Sequence, residues 1–173
     1  TLAAALNEGL TNIDEQFYCT GRCTVDGETI KCWKTVGHGS LTLLDAFKNS
    51  CNCVFVQLAL RLGVDTYYDY LSRFGLGEKT GIDIFSESSG IIMNKDSVRT
   101  VDLARIGFGH AIAVTQLQMA CVYAKITTGY DITPHILSSI NSENEVLYEE
   151  KYNKTKIDLS DETIKTINMM LGN

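Results

Sequence analysis

The stretch Leu43-Leu44-Asp45-Ala46-Phe47-Lys48-Asn49-Ser50-Cys51-Asn52-Cys53-Val54-Phe55-Val56-Gln57-Leu58-Ala59-Leu60-Arg61-Leu62 decides the architecture. Thr42 precedes it with Asp45 three residues on, the spacing of a capping box, so a helix is expected over 43–48. Ser and Asn compete locally for backbone groups, so Asn49-Ser50-Cys51-Asn52 breaks that helix. A second helix is expected from Cys53 to Leu62, stopped by Gly63. Asp65 then caps a third, Thr66 to Phe74, ended by Gly75.

Working outward, residues 1–10 read as the later part of a helix, with Gly9 near its end. Residues 11–41 are polar and marked by Gly21, Gly27, Gly37 and Gly39, and read as a loop or a small hairpin. Residues 75–100 read as a connection with a short extended piece at Ile91-Ile92-Met93. Val101–Ile106 and Gln116–Thr127, the latter capped by Thr115, read as helices. Ile132–Leu137 and Glu145–Tyr148 read as strands separated by a polar turn. Ser160 caps a last helix whose Ile164, Ile167, Met170 and Leu171 follow the 3.6-residue period. The expected fold class is α+β with helix dominant.

The 173 residues suffice for one domain. Fifteen Lys plus Arg against 21 Asp plus Glu give a charge of −6. A mildly acidic chain with no clustered basic face does not read as a nucleic-acid binder. No apolar run approaches the roughly 18 residues that cross a membrane, and nothing resembles a signal peptide. The chain enters an apolar helical run directly at Thr1 and stops at Asn173 just after a helix, so both ends are expected to be cut and 173 is not expected to be the natural length.

Several residues could carry chemistry. Ser50-Cys51-Asn52 places a hydroxyl and an amide at a break between helices; from spacing alone it reads as an interhelix cap. The same Ser-x-Asn pattern recurs at Ser139-Ile140-Asn141 and Ser142-Glu143-Asn144 in a polar turn. Lys79-Thr80-Gly81 matches the Lys-Thr-Gly of serine acyl transferases. It follows a helix end without strand-forming residues, and reads as a loop. There is no Ser-x-x-Lys, Gly-x-Ser-x-Gly or His-Glu-x-x-His, so the chain offers no self-contained nucleophile with its base. Cys19, Cys32 and His38, spaced Cys-x12-Cys-x5-His in a Gly-rich segment, suit a zinc site, with Asp14 or Cys23 as the fourth ligand. A Cys19–Cys32 disulfide and simple buried thiols are the alternatives. A catalytic thiol at Cys51 or Cys53 paired with His38 lacks a visible orienting group. His110 and His135 read as structural, and Tyr67, Tyr68, Tyr70 and Phe74 as helix packing.

Eight segments, taken in order, carry a resemblance: Ala4-Leu6-Glu8-Gly9, Phe17-x-Cys19-x-Gly21, Ile30-x-Cys32-Trp33, Gly37-His38-Gly39, Asn49-Ser50-Cys51-Asn52, Phe74 to Asp83, Asp102 to Gly109, and Thr133-Pro134-His135. Together they resemble the transpeptidase domain of class B penicillin-binding proteins, of the cell-division and stage V sporulation types. The resemblance runs from Thr1 to about Leu137 and more weakly to the end. It departs from the common pattern at Gly109-His110-Ala111, where many relatives have Gly-Gln-Gly, and at Gln116, where Pro is frequent.

The resemblance implies a helical subdomain plus part of a five-stranded antiparallel sheet. The whole chain, residues 1–173, would be the central part of one domain. The Ser-x-x-Lys nucleophile motif would lie upstream of Thr1, and the working Lys-Thr-Gly strand downstream of Asn173. It implies D,D-transpeptidation of peptidoglycan stem peptides and acylation by β-lactams. Ser50 would relay a proton to the leaving amine, Asn52 would hydrogen-bond substrate and lysine, and Cys51 would be a packing residue. No cofactor is required for catalysis; zinc at the cysteines would be structural. A division or sporulation glycosyltransferase is an implied partner. The implied location is the outer face of the cell membrane, anchored by an upstream helix. The other readings are a non-catalytic penicillin-binding-like scaffold module and a zinc-stabilised structural domain.

Overall fold

A computed structural model describes residues 1–151 and 154–172. In chain order the elements are α1 (Leu2–Asn7), β1 (Gln16–Cys19), β2 (Arg22–Val25), β3 (Glu28–Lys31), β4 (Gly39–Thr42), α2 (Leu43–Lys48), α3 (Asn52–Arg73), a 3-10 turn (Lys95–Ser97), α4 (Thr100–Gly107), α5 (Gln116–Thr128), β5 (Tyr130–Ile132), β6 (Ser139–Asn141), β7 (Val146–Glu149), β8 (Lys154–Lys156) and α6 (Asp161–Leu171). The fold is α+β. Among the described residues the strands form antiparallel pairs, β1 with β4, β2 with β3, β5 with β8 and β6 with β7.

Helix α3 is the axis. Its Val54, Leu58, Ala59, Leu62, Tyr67, Tyr70 and Leu71 are buried against α1, α4 and the β1 strand. Each such aliphatic side chain contributes about 1.5–3 kcal/mol, against roughly 0–1 for an exposed ion pair, so packing rather than charge holds the helices together. The expected caps form: the amide of Asp45 donates to Thr42 Oγ1 at 3.1 Å, that of Gln118 to Thr115 Oγ1 at 3.1 Å, and that of Thr163 to Ser160 Oγ at 3.1 Å. As expected, Gly63 leaves helical geometry at φ 71°, ψ 168°, and α3 is two helical stretches joined at that kink. Asp65, expected as a cap, forms an ion pair with Lys95 at 2.7 Å.

Three expectations are corrected. Residues 11–41 hold four short strands rather than a loop or one hairpin. In β1 the pattern alternates, with Phe17 and Cys19 buried and Gln16 and Tyr18 exposed, and β4 lies alongside it from Gln16↔Thr42 to Cys19↔Gly39. The Arg61 guanidinium fixes this segment to α3 by a two-point bond to the Glu15 carboxylate, at 2.8 and 3.0 Å, and by a bond to the Leu10 carbonyl at 3.0 Å. The strand expected at 132–137 is confined to Tyr130–Ile132. Beyond it Pro134 has no N–H to offer a ladder, and the Asp83 carboxylate takes the amides of Ile136 and Leu137 at 2.7 and 2.8 Å. The strand expected at 145–148 forms as β7, paired with β6, so Ser139-Ile140-Asn141 is a strand and not part of the turn.

Helix α4 approaches α3 closely at Gly107, where an added Cβ would lie 2.4 Å from Ala59 Cβ and 3.0 Å from the Phe55 carbonyl oxygen. Neither neighbour is a flexible side-chain tip. Gly107→Ala should therefore destabilise the fold by about 1–3 kcal/mol, the range for overpacking a tight core. An unchanged or raised thermal midpoint by calorimetry would contradict this packing account.

Candidate active site and thiol cluster

Helix α2 ends in a turn closed by two backbone bonds, Cys51 N–H to the Ala46 carbonyl at 2.9 Å and Ser50 N–H to the Phe47 carbonyl at 3.1 Å. That pair is the Schellman arrangement, whose residue after the cap takes the left-handed conformation and is usually glycine. Here it is Ser50, at φ +47°. An L-residue there costs roughly 1–2 kcal/mol. Asp26 and Ala111 share this left-handed region, at φ +48° and +60°.

The turn sorts its three residues. Ser50 is exposed, Asn52 half-buried, and Cys51 between them is fully buried at 0% exposure. Ser50 and Asn52 line one cleft of about 610 Å³, whose walls include Phe47, Phe55, Tyr67 and Ile167. One N–H of the Asn52 amide donates to the Lys31 carbonyl at 3.2 Å. Its oxygen is thus a candidate acceptor for a donor entering the cleft.

Cys51 points the other way, into a cluster with Cys19 at the end of β1, Cys32 just past β3 and His38 just before β4. The ligand atoms of these four lie within 4.8 Å of one another. Cys32 Sγ is 3.6 Å from His38 Nδ1, and the Gly21 amide donates to Cys19 Sγ at 3.4 Å. His38 Nε2 is buried without a hydrogen-bond partner. Two glycines make the convergence possible. A Cβ at Gly21 would fall 2.1 Å from the Thr35 carbonyl oxygen, and one at Gly37 2.3 Å from the Cys19 carbonyl oxygen, both at φ +88°.

Burial alone pushes the Cys19 thiol up, but hydrogen bonds from His38, Gly21 and Cys51 outweigh it and bring it down to about 6. Burial pushes Cys51 up to about 12 and raises Cys53 and Cys23 as well. The cluster thus lowers the Cys19 thiol while raising that of Cys51.

Of the ligands expected from spacing, Cys19, Cys32 and His38 are brought together. Asp14 is exposed before β1, its backbone amide bonded to the Asn12 side chain at 3.1 Å, and it does not join them. Cys23 directs its thiol at the Ile30 carbonyl, 3.9 Å away, and also stays outside. The fourth member is Cys51, assigned to packing by the sequence reading. Its signal was its position between two residues committed to the opposite face. All six cysteines are free, so the Cys19–Cys32 disulfide is not formed.

Lys79-Thr80-Gly81 lies in a loop, as expected. The Glu87 carboxylate accepts from Thr80 N, Thr80 Oγ1 and Gly81 N at 2.8, 2.6 and 3.1 Å. Gln118 Nε2 fastens both ends of that loop by donating to the Glu78 and Ser89 carbonyls at 2.6 and 2.8 Å. His110 stacks on Phe108 at 5.2 Å and joins no cluster of potential metal ligands.

The family model described as "Penicillin binding protein transpeptidase domain" matches residues 1–173. The chain is 44% identical over 138 residues to stage V sporulation protein D of Bacillus subtilis, covering 79% of this chain and 21% of that protein. It is 32% identical over 175 residues to penicillin-binding protein PbpB of Mycolicibacterium smegmatis, covering 98% of this chain and 26% of that protein. Among solved structures it matches penicillin-binding protein 3 of Mycobacterium tuberculosis in complex with aztreonam, with TM-score 0.87, 28% identity, and coverage of 98% of this chain and 38% of that one. The chain thus spans about a fifth to a quarter of the length of these curated relatives. A match over its whole length, on a fold whose Ser-x-Asn turn borders a cleft, places the chain in the penicillin-binding protein transpeptidase domain family.

Proposed function

We propose that the protein containing this chain is a peptidoglycan D,D-transpeptidase, and that residues 1–173 are the central part of its catalytic domain. The observation that carries this reading is Ser50, held on a strained turn with Asn52 beside a cleft. Two relatives are named peptidoglycan D,D-transpeptidases, MrdA of Acinetobacter baumannii and FtsI of Escherichia coli, which supports the activity. The nucleophile belongs to a Ser-x-x-Lys upstream of Thr1, and the Lys-Thr-Gly strand lies downstream of Asn173.

In the proposed reaction the nucleophilic serine oxygen attacks the penultimate D-alanine carbonyl of a stem peptide, and its proton passes to the motif lysine. The carbon–nitrogen bond breaks, and the Ser50 hydroxyl relays a proton to the leaving D-alanine amine. An amine of a second stem peptide then attacks the ester, releasing the serine and leaving a new amide. A β-lactam follows the first half and stops at the acyl-enzyme. Asn52 orients the substrate amide and the lysine. The partners are stem peptides, β-lactams and a division or sporulation glycosyltransferase. The catalytic domain works outside the cell membrane, held by an upstream anchor; among the described residues no helix is long and apolar enough to cross a membrane.

We also propose that Cys19, Cys32, His38 and Cys51 hold a structural zinc ion. Three thiols and an imidazole are the donor set of a closed tetrahedral site, and His38 turns Nδ1 toward the thiols, 3.6 Å from Cys32 Sγ. When bound, zinc supplies a cross-link between the β1–β4 region and the Ser50 turn. A four-donor site has no open position for water.

Two measurements test these readings. In the complete protein, Ser50→Gly should slow acylation by fluorescent penicillin on the order of 10²-fold, the scale of a lost proton relay. Glycine suits the left-handed position, so stability should stay level or rise by up to about 1 kcal/mol. Failure of the complete protein to label would instead support a scaffold module. Elemental analysis of metal-replete protein should give one zinc per chain, lost in Cys51→Ser and kept in Asp14→Ala. Zinc retained in Cys51→Ser would remove Cys51 from the site.

A further inference from the structure

Trp33 is unusual for an aromatic side chain, with 62% of its surface exposed although it directly follows a fully buried cysteine. Burial does not account for it. Its indole Nε1–H donates to the Asn49 carbonyl oxygen at 2.8 Å, and its ring meets the His38 imidazole edge-on at 5.3 Å.

Asn49 is the cap residue of α2, directly before Ser50, at φ −91° and ψ 4°. The last carbonyls of a helix lack partners within it, and the indole supplies one to the Asn49 carbonyl. The peptide that Trp33 grips is the one joining Asn49 to Ser50. Its orientation sets the φ of Ser50, so the indole acts on the torsion that aims the hydroxyl.

The neighbours of Trp33 act on the same turn. Lys31 offers its carbonyl to the Asn52 side chain at 3.2 Å, and Cys32 shares the cluster with Cys51. Three consecutive residues thus address three residues of the turn, Asn49, Cys51 and Asn52. Lys31 and Cys32 act on Asn52 and Cys51, and Trp33 holds the carbonyl side of the Asn49–Ser50 peptide, whose N–H is bonded to the Phe47 carbonyl at 3.1 Å.

We propose that Trp33 is a positioning residue for Ser50, acting through the Nε1–H bond to the Asn49 carbonyl. This rests on the role given to Ser50 above. The inference separates two uses of the indole. As a wall for an apolar ligand, only its ring would matter. As a positioning group, its N–H matters and the ring is a carrier.

The test uses the complete protein and benzylpenicillin, with the acylation rate constant and the preceding non-covalent affinity measured separately. Trp33→Phe keeps a ring and loses only the donor, and the site's exposure tolerates it. It should slow acylation roughly tenfold, the scale of a small misplacement of a catalytic group, with non-covalent affinity and thermal midpoint unchanged. Trp33→Ala should fall by a similar factor. In a Ser50→Gly background, Trp33→Phe should add no further loss, because two groups that act as one unit are not additive. Wild-type acylation in Trp33→Phe with a loss in Trp33→Ala would overturn the proposal in favour of an apolar wall. Losses that multiply in the double variant would overturn it as well, by showing that Trp33 does not act through Ser50. Should Ser50→Gly alone acylate like wild type, the relay role itself fails; a slow Ser50→Gly with a normal Trp33→Phe removes only the positioning role.

Discussion

A serine held in a left-handed turn between two helices is the constraint around which this domain is organised. Left alone, the turn would relax, since the conformation costs roughly 1–2 kcal/mol for a residue with a Cβ. It is kept because the helices on both sides are committed to the core. Leu43 and Ala46 of α2, and Val54 and Leu58 of α3, are completely buried. Moving the turn would displace several such side chains, each worth more than the strain. The strained hydroxyl is a product of the core packing, although it sits at the surface.

The same turn gives the domain two chemically unlike faces. Ser50 and Asn52 look into a cleft with largely apolar walls, while Cys51 looks into a cluster of thiols and imidazole. One peptide segment is therefore shared by the cleft and by the Cys/His cluster. Cys19, Cys32 and His38 belong to the segment that Arg61 clamps to α3 through Glu15. The cluster thereby refers its position to the same helix that begins at Asn52.

Much of this was legible in the residues. The capping residues Thr42, Thr115 and Ser160, the break at Ser50, and the loop character of Lys79-Thr80-Gly81 follow from local rules that tertiary contacts did not override. The strands of residues 11–41 were harder, because each is four residues long and their glycines read as turns. Two of those glycines serve instead to let backbones touch, which only the fold reveals. Asp14 was a reasonable fourth donor by chemistry and distance along the chain. Cys51 displaced it because the turn forces the middle residue inward, a consequence of three-dimensional handedness that spacing does not encode. The strand expected through Ile136 and Leu137 failed for a similar reason. Its amides are taken by Asp83, more than fifty residues away in sequence.

Gln118 shows how the domain confines variation. Its single amide group gathers the two ends of the segment between Glu78 and Ser89 and sits at the first turn of α5. A loop whose ends are held together already carries its closure cost, and that cost grows only slowly with length. Apart from Asp83, which holds the Ile136 and Leu137 amides, and Glu87, which holds Thr80 and Gly81, residues inside such a loop can change with little disturbance passed to the helices. The exposed Ile84-Phe85 tip thus lies in a compartment where this fold can acquire new surface chemistry without renegotiating the geometry at Ser50.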